Sequence, residues 1–396
     1  MKQLRVVVMV ANVKQYRAAF YAMLSSALRH DGIELTVIYS DPDVIEATKG
    51  DSIDLPGPLG KKVPRLWFAG HRALLQFPSL RDIAQADLVI VVQAAGYLLN
   101  YPILLLSALK LKRVAYWGHG RNLQGNPKSA AERMKRMLAN STNWWFAYTN
   151  ETKRYLESIG VASEKITPIE NAIDTRGFRV ELESVSDQEV ASLRATLGLA
   201  PEARVGLYCG SLYSEKRLDY LLGAARIVAE GNPNFRLVIV GAGPESDVVR
   251  RASESCNYVL YPGPAFGRGK AVYFRMAEIF LNPGLVGLGI LDSFAAGLPF
   301  LTTSDAKHSP EIAYLEHGVN GLLVSGNCNE FARAVSGILW SAELLSVLKR
   351  GAVKAAARYT IENMVENVKI GILKCLGVAD SVDPTEPGSN SQSPSS

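Results

Sequence analysis

Residues 281–299 read LNPGLVGLGILDSFAAGLP, which has the form of a strand that opens into a glycine-rich turn and then a helix. Gly284, Gly287 and Gly289 surround the predicted helix start, and the closing Gly-Leu-Pro is typical of a helix end. Free backbone N–H groups at a helix start attract anions, and Asp292, one turn in, is placed to accept hydrogen bonds from sugar hydroxyls. An aspartate there also complements the helix dipole, so structural and functional readings are both open.

The same alternation of strand and helix extends along the chain in both directions. Apolar, β-branched runs predict two series of strands, the first at Arg5–Val10, Leu35–Tyr39, Leu88–Val92, Arg113–Trp117, Trp144–Tyr148 and Lys165–Ile169, the second at Val205–Cys209, Leu237–Val240, Tyr258–Tyr261, Ile279–Leu281 and Phe300–Thr302. Continuous apolar strands between helices are typical of parallel sheets covered on both faces. We therefore predict an α/β protein with two successive Rossmann-like, doubly wound domains, whose intervening cleft is the expected site.

Charge and capping signals set the expected domain boundaries. Ser186 and Glu189 form a capping box that predicts a short helix in the charged connection between the domains. The last residues have no aromatic side chain and almost no apolar one, which predicts disorder. The expected units are an N-terminal Rossmann-like domain (1–185), a C-terminal Rossmann-like domain (186–360), a helix that packs back on the N-terminal domain (361–379) and a disordered tail (380–396).

Composition limits the class of protein. Of the 396 residues, 48% are hydrophobic and 20% charged, which excludes collagen-like, coiled-coil and largely disordered chains. The 43 basic and 38 acidic side chains give a net charge of +5, which suits an anionic small molecule or membrane surface better than nucleic acid. The four cysteines are widely separated, so no zinc cluster or disulfide framework is predicted. No signal peptide or membrane span is recognised, and we expect a cytoplasmic protein.

A second strand-to-helix junction, residues 208–217 (YCGSLYSEKR), has the residue types of an anion site. A strand is predicted to end at Gly210, and a helix to begin near Glu215 with Lys216 in its first turn. Small residues let a ligand approach the backbone, and the lysine adds a full positive charge. A diphosphate would fit there, although an ordinary loop with a solvated Lys-Arg pair is an equal alternative from these residues alone.

Five short motifs follow one another over roughly residues 204–337. They are Gly-Ser-Leu-x-x-x-Lys after a strand, Gly-Ala-Gly-Pro after a strand, the stretch 281–299, Pro310-Glu-Ile, and Gly318-Val-Asn-Gly-Leu-Leu323. Their order resembles the C-terminal half of family 4 glycosyltransferases (glycosyl transferases group 1). The resemblance implies the GT-B fold, with a nucleotide-sugar donor on the C-terminal domain and the acceptor mainly on the N-terminal one. It also implies chemistry that retains the anomeric configuration without a required metal.

The resemblance assigns roles to residues of the C-terminal domain. Lys216 resembles the lysine that contacts the donor diphosphate, while Ser211 stands where the family commonly has arginine. Asp292 takes the place of the second glutamate in the family's Glu, seven residues, Glu motif, which holds the ribose hydroxyls. Gly284 takes the place of the first glutamate, so backbone groups nearby must recognise more of the donor sugar. The expected substrate-binding residues here are Gly210, Ser211, Val286, Gly287, Leu288, Gly289, Asp292 and Glu311, with Lys216 as the catalytic cation.

Two segments of the N-terminal domain are expected at the cleft. His119 lies between two glycines after a strand, at the sheet edge where open α/β folds bind ligands. The resemblance suggests that it faces the donor sugar as a catalytic residue; the alternative is a histidine hydrogen-bonded within its loop. Arg17, at the first strand-to-helix turn, is expected to meet donor phosphate or acceptor. Asn171 and Asp174 are interpreted as turn residues that close the domain.

The leading hypothesis is transfer of a hexose-type sugar from a nucleoside diphosphate to a hydroxyl of a glycan or lipid-linked acceptor, in surface polysaccharide or glycoconjugate biosynthesis. No cofactor besides the nucleotide-sugar co-substrate and no metal is expected. The alternatives are a nucleotide-sugar 2-epimerase of the same architecture and a non-catalytic binding protein descended from a glycosyltransferase.

Three further patterns carry weaker interpretations. The basic stretch 128–136, KSAAERMKR, predicts either a solvated helix face or contact with the inner face of an anionic membrane. Asp41 and Asp43 formally make a DxD motif, but they suit an ordinary loop. Gly241-Ala-Gly-Pro lacks the third glycine of a dinucleotide fingerprint, so NAD binding is only weakly supported.

Overall fold

The computed structural model describes residues 3–47, 51–70, 72–121 and 129–378, except for the side chain of Ile45. The segment 380–396, expected to be disordered, and Lys128 of the basic stretch lie outside the described residues. Within this part of the chain, two α/β lobes each surround a parallel sheet of their own.

The N-terminal lobe is built from the first nine strands. These are β1 (Leu4–Met9), β2 (Ile33–Tyr39), β3 (Gly60–Lys62), β4 (Arg65–Phe68), β5 (Ala73–Gln76), β6 (Leu88–Val92), β7 (Arg113–Gly118), β8 (Trp144–Ala147) and β9 (Ile166–Pro168). Seven of them form a parallel sheet in the order β3, β2, β1, β6, β7, β8, β9, and β4 pairs with β5 as an antiparallel hairpin. Because the strand order changes direction beside β1, the carboxyl ends of β1 and β6 border a ligand crevice, as in doubly wound folds.

The C-terminal lobe repeats this plan. Its strands are β10 (Arg204–Cys209), β11 (Phe235–Val240), β12 (Val259–Gly263), β13 (Ile279–Leu281), β14 (Phe300–Thr303) and β15 (Gly321–Val324). They form a parallel sheet in the order β12, β11, β10, β13, β14, β15. The predicted α/β class with two doubly wound sheets is confirmed. The prediction missed β3, β4, β5 and β15, which are only three or four residues long.

Fifteen helices of the described chain cover and connect the sheets. They are α1 (Ala18–His30), α2 (Val44–Ala47), α3 (Leu80–Gln85), α4 (Asn100–Ala108), α5 (Ala130–Met137), α6 (Asn150–Ser158), α7 (Arg176–Ser184), α8 (Asp187–Thr196), α9 (Leu218–Gly231), α10 (Ser246–Ser255), α11 (Gly267–Met276), α12 (Gly289–Ala295), α13 (Cys328–Leu339), α14 (Ala342–Arg358) and α15 (Ile361–Leu376). The predicted capping box is present at the start of α8, where the Ser186 side chain and the Glu189 side chain each accept the other's backbone N–H.

The last helix joins the C-terminal end of the chain to the N-terminal lobe. α15 packs against α1, and Gly371 lets it approach Phe146 and Trp144 of β8. Lys369 of α15 forms an ion pair of 3.1 Å with Asp31 at the end of α1. One cluster of buried apolar side chains runs through this contact and includes residues of both lobes. The lobes are therefore joined by packing as well as by the chain connections.

In the described part of the chain, no single helix is both long and apolar enough to cross a bilayer. The helices α13 and α14 reach that length and composition only together, across a bend of 92°.

Replacing Gly371 by alanine tests the packing of α15 on the N-terminal lobe. The new methyl carbon would lie 2.6 Å from a ring carbon of Phe146 and 2.8 Å from Thr167 Oγ1, so α15 must move. We expect the free energy of unfolding to fall by about 1 to 3 kcal/mol, measured by urea denaturation. Gly337→Ala in α13, where the methyl group meets no atom within 4 Å, should instead stabilise the chain by about 0.5 to 1 kcal/mol. Equal effects of the two substitutions would contradict this packing.

Candidate active site

Three loops meet at the carboxyl edge of the C-terminal sheet, after the neighbouring strands β10, β13 and β14. The loop after β10 forms a 3-10 turn over Ser214–Lys216, and α9 begins only at Leu218. Arg217, between them, adopts left-handed backbone conformation with φ 57°. The predicted helix start near Glu215 is therefore wrong, because a left-handed residue separates the turn from the helix. Lys216 lies in the turn that precedes the helix.

The turn that carries Lys216 is tied directly to the loop after β13. The backbone N–H of Leu285 donates to the carbonyl of Glu215 at 2.8 Å, and the Lys216 ammonium donates to the carbonyl of Leu285 at 2.6 Å. Gly284 lies against the backbone of Glu215 and Lys216, where a Cβ atom would overlap it. The glycine at the position of the family's first glutamate thus lets two loops of the site touch.

The environment of Lys216 changes its acidity. Burial lowers the pKa of Lys216 to about 8, although the neighbouring Glu215 opposes the shift. The side chain is still mostly protonated at pH 7, and an ammonium has three donors, of which Leu285 takes one. The exposed Gly210 and Ser211 lie in the same loop, and Ser211 brings no charge to it. This loop therefore offers one partly desolvated cation next to open backbone.

The stretch 286–289 leads into α12. The Val286 N–H donates to His308 Nδ1 at 3.2 Å, and the Val286 carbonyl accepts from the N–H of Ser309 at 3.0 Å. His308 Nε2 lies 2.6 Å from the carbonyl of Thr303, so the proton is on Nε2 and Nδ1 is the acceptor. Val286 is buried, whereas residues 287–289 are half-buried or exposed, and no side chain caps the start of α12. These partly open residues can approach a ligand.

Asp292, in the first turn of α12, has a partner that the sequence did not suggest. Its carboxylate forms an ion pair of 2.7 Å with Lys270 of α11. The ammonium of Lys270 also lies 4.4 Å from the centre of the Phe178 ring. Both charged groups are partly buried, and they lie beside Cys209 at the end of β10. One sequence signal could have identified Lys270 as a residue of this site. It is a lysine in the first turn of a helix that starts with glycines, at residues 267–270.

His119 follows β7 in the N-terminal lobe, and part of its side chain is open to solvent. Its ring stacks on Tyr148, with the ring centres 4.0 Å apart. The surrounding protein desolvates the imidazole and, with the charges of Lys135 and Arg17, lowers the pKa of His119 to about 4. His119 is thus neutral at physiological pH and can exchange hydrogen bonds, but it carries no positive charge.

Arg17 and Glu311, which the sequence assigned to substrate, are connected through Asn171. The buried Arg17 guanidinium donates to the side-chain oxygen of Asn171, whose amide nitrogen donates to Glu311 at 2.7 Å. The carbonyl of Asn171 also accepts from the Tyr314 hydroxyl at 2.8 Å. Burial raises the pKa of Glu311, and the hydrogen bond from Asn171 opposes the shift. We call Arg17, Asn171 and Glu311 the inter-lobe bridge, because Glu311 belongs to the C-terminal lobe and the other two residues to the N-terminal lobe.

A cavity of about 240 Å³ lies beside the inter-lobe bridge, at the carboxyl edge of the N-terminal sheet. Its aromatic wall consists of Tyr16, Tyr21, Tyr97, Trp117 and Tyr148. The two cations that line it, Lys14 and Arg17, already have protein partners. Lys14 is ion-paired with Glu46 and, at 2.7 Å, with Asp51, and Arg17 belongs to the bridge. Among the described residues that line it, the cavity therefore presents rings and polar groups and no unpaired cation.

The two aspartates of the formal DxD motif have partners within the N-terminal lobe. Asp43 accepts the backbone N–H of Glu46 at 2.7 Å, and Asp41 forms an ion pair of 2.7 Å with Lys62. Within the described ranges, no group of three or more His, Cys, Asp or Glu side chains is arranged to hold a metal ion.

The sequence of each lobe matches a known family model. Residues 203–340 match the model described as glycosyl transferases group 1, and residues 19–176 match the one described as glycosyltransferase family 4. The chain belongs to this family of glycosyltransferases. The family that the motifs resembled is thereby confirmed.

Curated relatives of this glycosyltransferase act on different molecules, as their names state. The chain is 25% identical over 185 residues to the alpha-monoglucosyldiacylglycerol synthase of Acholeplasma laidlawii, a match that covers 45% of this chain and 46% of that protein. It is 27% identical over 225 residues to the D-inositol 3-phosphate glycosyltransferase of Thermobispora bispora, a match that covers 53% of this chain and 50% of that protein. The chain spans about half the length of the curated relatives it matches.

Solved structures share the whole architecture. Anabaena HepE in complex with UDP gives a TM-score of 0.65 at 16% identity, over 93% of this chain and 99% of that chain. A putative UDP-N-acetylglucosamine 2-epimerase from Listeria monocytogenes gives a TM-score of 0.61 at 16% identity, over 96% of this chain and 98% of that chain. At such identities the likeness establishes the fold alone, which is GT-B as predicted.

Substituting Gly284 tests whether the contact between the two loops shapes the site. In Gly284→Ala the methyl group would overlap the backbone of the turn 214–216 and displace Lys216. We expect the free energy of unfolding to fall by about 1 to 3 kcal/mol, measured by urea denaturation. Gly231→Ala, at the end of α9 with no atom within 4 Å, is the matched control and should change it by no more than about 0.5 kcal/mol. An unchanged free energy of unfolding in Gly284→Ala would show that the two loops are not held in this contact.

Proposed function

We propose that this glycosyltransferase moves a hexose-type sugar from a nucleoside diphosphate to a hydroxyl of a glycan or lipid-linked acceptor, with retention of the anomeric configuration. The observation that carries the proposal is the partly desolvated Lys216, fixed against the loop that leads into the uncapped α12. A charged lysine and free backbone N–H groups next to each other are suited to a diphosphate. HepE, which shares the fold, was crystallised with UDP and with UDP-glucose, which supports a nucleotide-sugar donor here.

In the proposed reaction the bond between the anomeric carbon and the β-phosphate oxygen breaks, and the acceptor oxygen bonds to the same carbon. The acceptor proton passes to the departing diphosphate. Lys216 and the amides of 287–289 stabilise the negative charge that develops on the phosphate. Asp292 holds the ribose hydroxyls, and Lys270, paired with it, adds a second cation to the donor lobe, where Ser211 supplies none.

His119 is proposed to contact the donor sugar by hydrogen bonds. A neutral imidazole can both donate and accept, and its stacking on Tyr148 fixes the ring plane. Glu311 is not available as a base in this arrangement, because its carboxylate is buried in the inter-lobe bridge. Proton transfer to the leaving phosphate therefore agrees with the groups near the cleft.

The aromatic cavity of the N-terminal lobe is the proposed acceptor pocket. Aromatic rings pack against the apolar faces of sugar rings, and the two cations among the described lining residues, Lys14 and Arg17, are both paired and so not available to an acceptor phosphate. We therefore propose an uncharged sugar ring as the group that receives the new linkage. This distinguishes the pocket from one built for a phosphorylated acceptor, such as that named for the Thermobispora bispora relative.

The predicted cytoplasmic location and peripheral membrane contact are part of the same proposal. α5 carries Arg133 and Arg136 together with Met137, whose side chain is 80% exposed. Lys135 on the same helix pairs with Glu132 at 2.7 Å, so it adds less to the net positive charge of α5. Assembly of a surface polysaccharide or glycoconjugate is the proposed context, and the independence from metal stays a prediction.

Removing the Lys216 ammonium should slow transfer. In Lys216→Ala we expect kcat/KM to fall about 30- to 1,000-fold, equivalent to roughly 2 to 4 kcal/mol for one electrostatic stabiliser. The measurement is release of nucleoside diphosphate from a panel of nucleotide-sugars, with product analysis in the presence and absence of acceptor. Lys165→Ala, an exposed lysine of the N-terminal lobe, is the control. Unchanged kcat/KM in Lys216→Ala would remove the proposed role, and an epimerised nucleotide-sugar formed without acceptor would favour the 2-epimerase.

The lowered pKa of Lys216 predicts how donor binding depends on pH. The ammonium is charged below its pKa of about 8 and loses its proton above it, so the affinity for UDP should weaken as pH rises from 7 to about 9. Calorimetric titration with UDP over this range measures the effect. In Lys216→Arg the guanidinium stays protonated, and the pH dependence should disappear. A wild-type affinity that is constant over this range would contradict the assignment.

A further inference from the structure

A groove with an apolar floor and basic walls lies on the C-terminal lobe, outside the site described above. Its volume is about 740 Å³. The floor is lined by Leu339, Trp340, Leu345 and Val353, from the end of α13 and from α14. Trp340 is 44% exposed and Val353 is 59% exposed, so large apolar surfaces are open to solvent there. Exposed apolar surface of this kind in a concave site is typical of binding sites.

The walls of the groove carry one sign of charge. Arg204, Lys349, Arg350 and Lys354 line it, and no acidic side chain is among the described residues that do so. One nearby acid, Glu278, pairs with Arg204, the one groove cation outside α14, at 3.4 Å. Burial among these groups lowers the pKa of Lys349, and the charge of Arg204 adds to the shift, whereas Glu278 opposes it. The groove thus concentrates positive charge around apolar surface.

The groove and the donor loops lie at opposite edges of one sheet. Arg204 begins β10, and Gly297, which also lines the groove, precedes β14, so the groove borders the amino edge. The donor loops follow the carboxyl ends of these strands. The six residues of β10 separate the two edges by about 20 Å. A molecule in the groove would therefore leave the cleft open.

We propose that this groove binds an anionic phospholipid at a bilayer surface. The headgroup phosphate would lie among Lys349, Arg350 and Lys354, and the start of an acyl chain would lie on Leu345 and Val353. Basic side chains with long apolar stems, next to a half-exposed tryptophan, are typical of surfaces that meet the membrane interface. A soluble nucleotide or sugar phosphate would match the cations but not the apolar floor.

The occupant follows from charge complementarity together with the apolar lining. A neutral lipid would leave the cations of the groove unpaired, and inorganic phosphate would leave Trp340 and Val353 in water. An anionic phospholipid satisfies both parts of the groove at once. The inference does not depend on the sugar transfer proposed above, since binding to lipid is measured without donor or acceptor.

Flotation with vesicles tests the proposal. The chain should float with vesicles of phosphatidylglycerol mixed with phosphatidylcholine and should not float with vesicles of phosphatidylcholine alone. The triple variant Lys349→Gln, Arg350→Gln, Lys354→Gln should bind the mixed vesicles about 100-fold more weakly, at about fivefold for each cation removed. Val353→Asp, which keeps all the cations, should also lose binding, because it places a charge on the apolar floor.

Two controls make the result specific to the groove. Arg226→Gln, Arg250→Gln, Arg251→Gln removes three exposed cations elsewhere on the same lobe and should keep most of the binding. Arg133→Gln, Arg136→Gln removes the cations of the other proposed membrane contact, α5, and should weaken binding less than the triple variant of the groove does. The midpoint of urea denaturation, which the groove variants should share with the wild-type chain, reports that they are folded. The proposal is overturned if the wild-type chain binds no anionic vesicles, if both triple variants lose binding equally, or if the α5 variant alone abolishes it.

Discussion

The architecture of the site depends on the buried inter-lobe bridge. Arg17 is 6% exposed and Glu311 is 4% exposed, and a lone buried charge of either sign would be costly. Asn171 provides a hydrogen-bond partner for both charged groups, because its amide oxygen accepts from the Arg17 guanidinium and its amide nitrogen donates to the Glu311 carboxylate. Two opposite charges from different lobes are thereby satisfied through one side chain. The lobes cannot separate at this point without leaving polar groups unpaired.

The bridge also connects the two halves of the proposed reaction. Glu311 follows Ser309 closely, and the Ser309 N–H holds the carbonyl of Val286 in the donor loop. Arg17, at the other end of the bridge, lines the aromatic cavity. The donor loop is therefore connected to the proposed acceptor pocket through the chain segment 309–311 and the hydrogen bonds at its two ends. The donor loop is fixed from a second side by the turn of Lys216, whose contact depends on Gly284 having no side chain.

Sequence alone predicted the parts of the molecule that depend on local pattern. The long apolar strands, the capping box at Ser186 and the helix that carries Asp292 lie where the pattern indicated them. The short strands β3, β4, β5 and β15 were missed, because a segment of three or four residues gives little periodic signal. The left-handed conformation of Arg217, which ends the turn before α9, was equally invisible to residue preference, since glycine is the usual residue there.

Contacts between distant residues could not be predicted either. Asn171 and Glu311 are 140 positions apart, and the turn interpretation of Asn171 had no information about the other lobe. The same holds for Lys270, whose pairing with Asp292 requires α11 and α12 to lie side by side.

A double-mutant cycle tests the inter-lobe bridge most directly, with kcat/KM for transfer and Kd for UDP measured in Asn171→Ala, Glu311→Ala and the double variant. If the bridge aligns the lobes, each single variant loses transfer at least about tenfold with UDP affinity unchanged, and the double variant is no worse than either. Losses that add, or a fall in UDP affinity equal to the fall in rate, would contradict it.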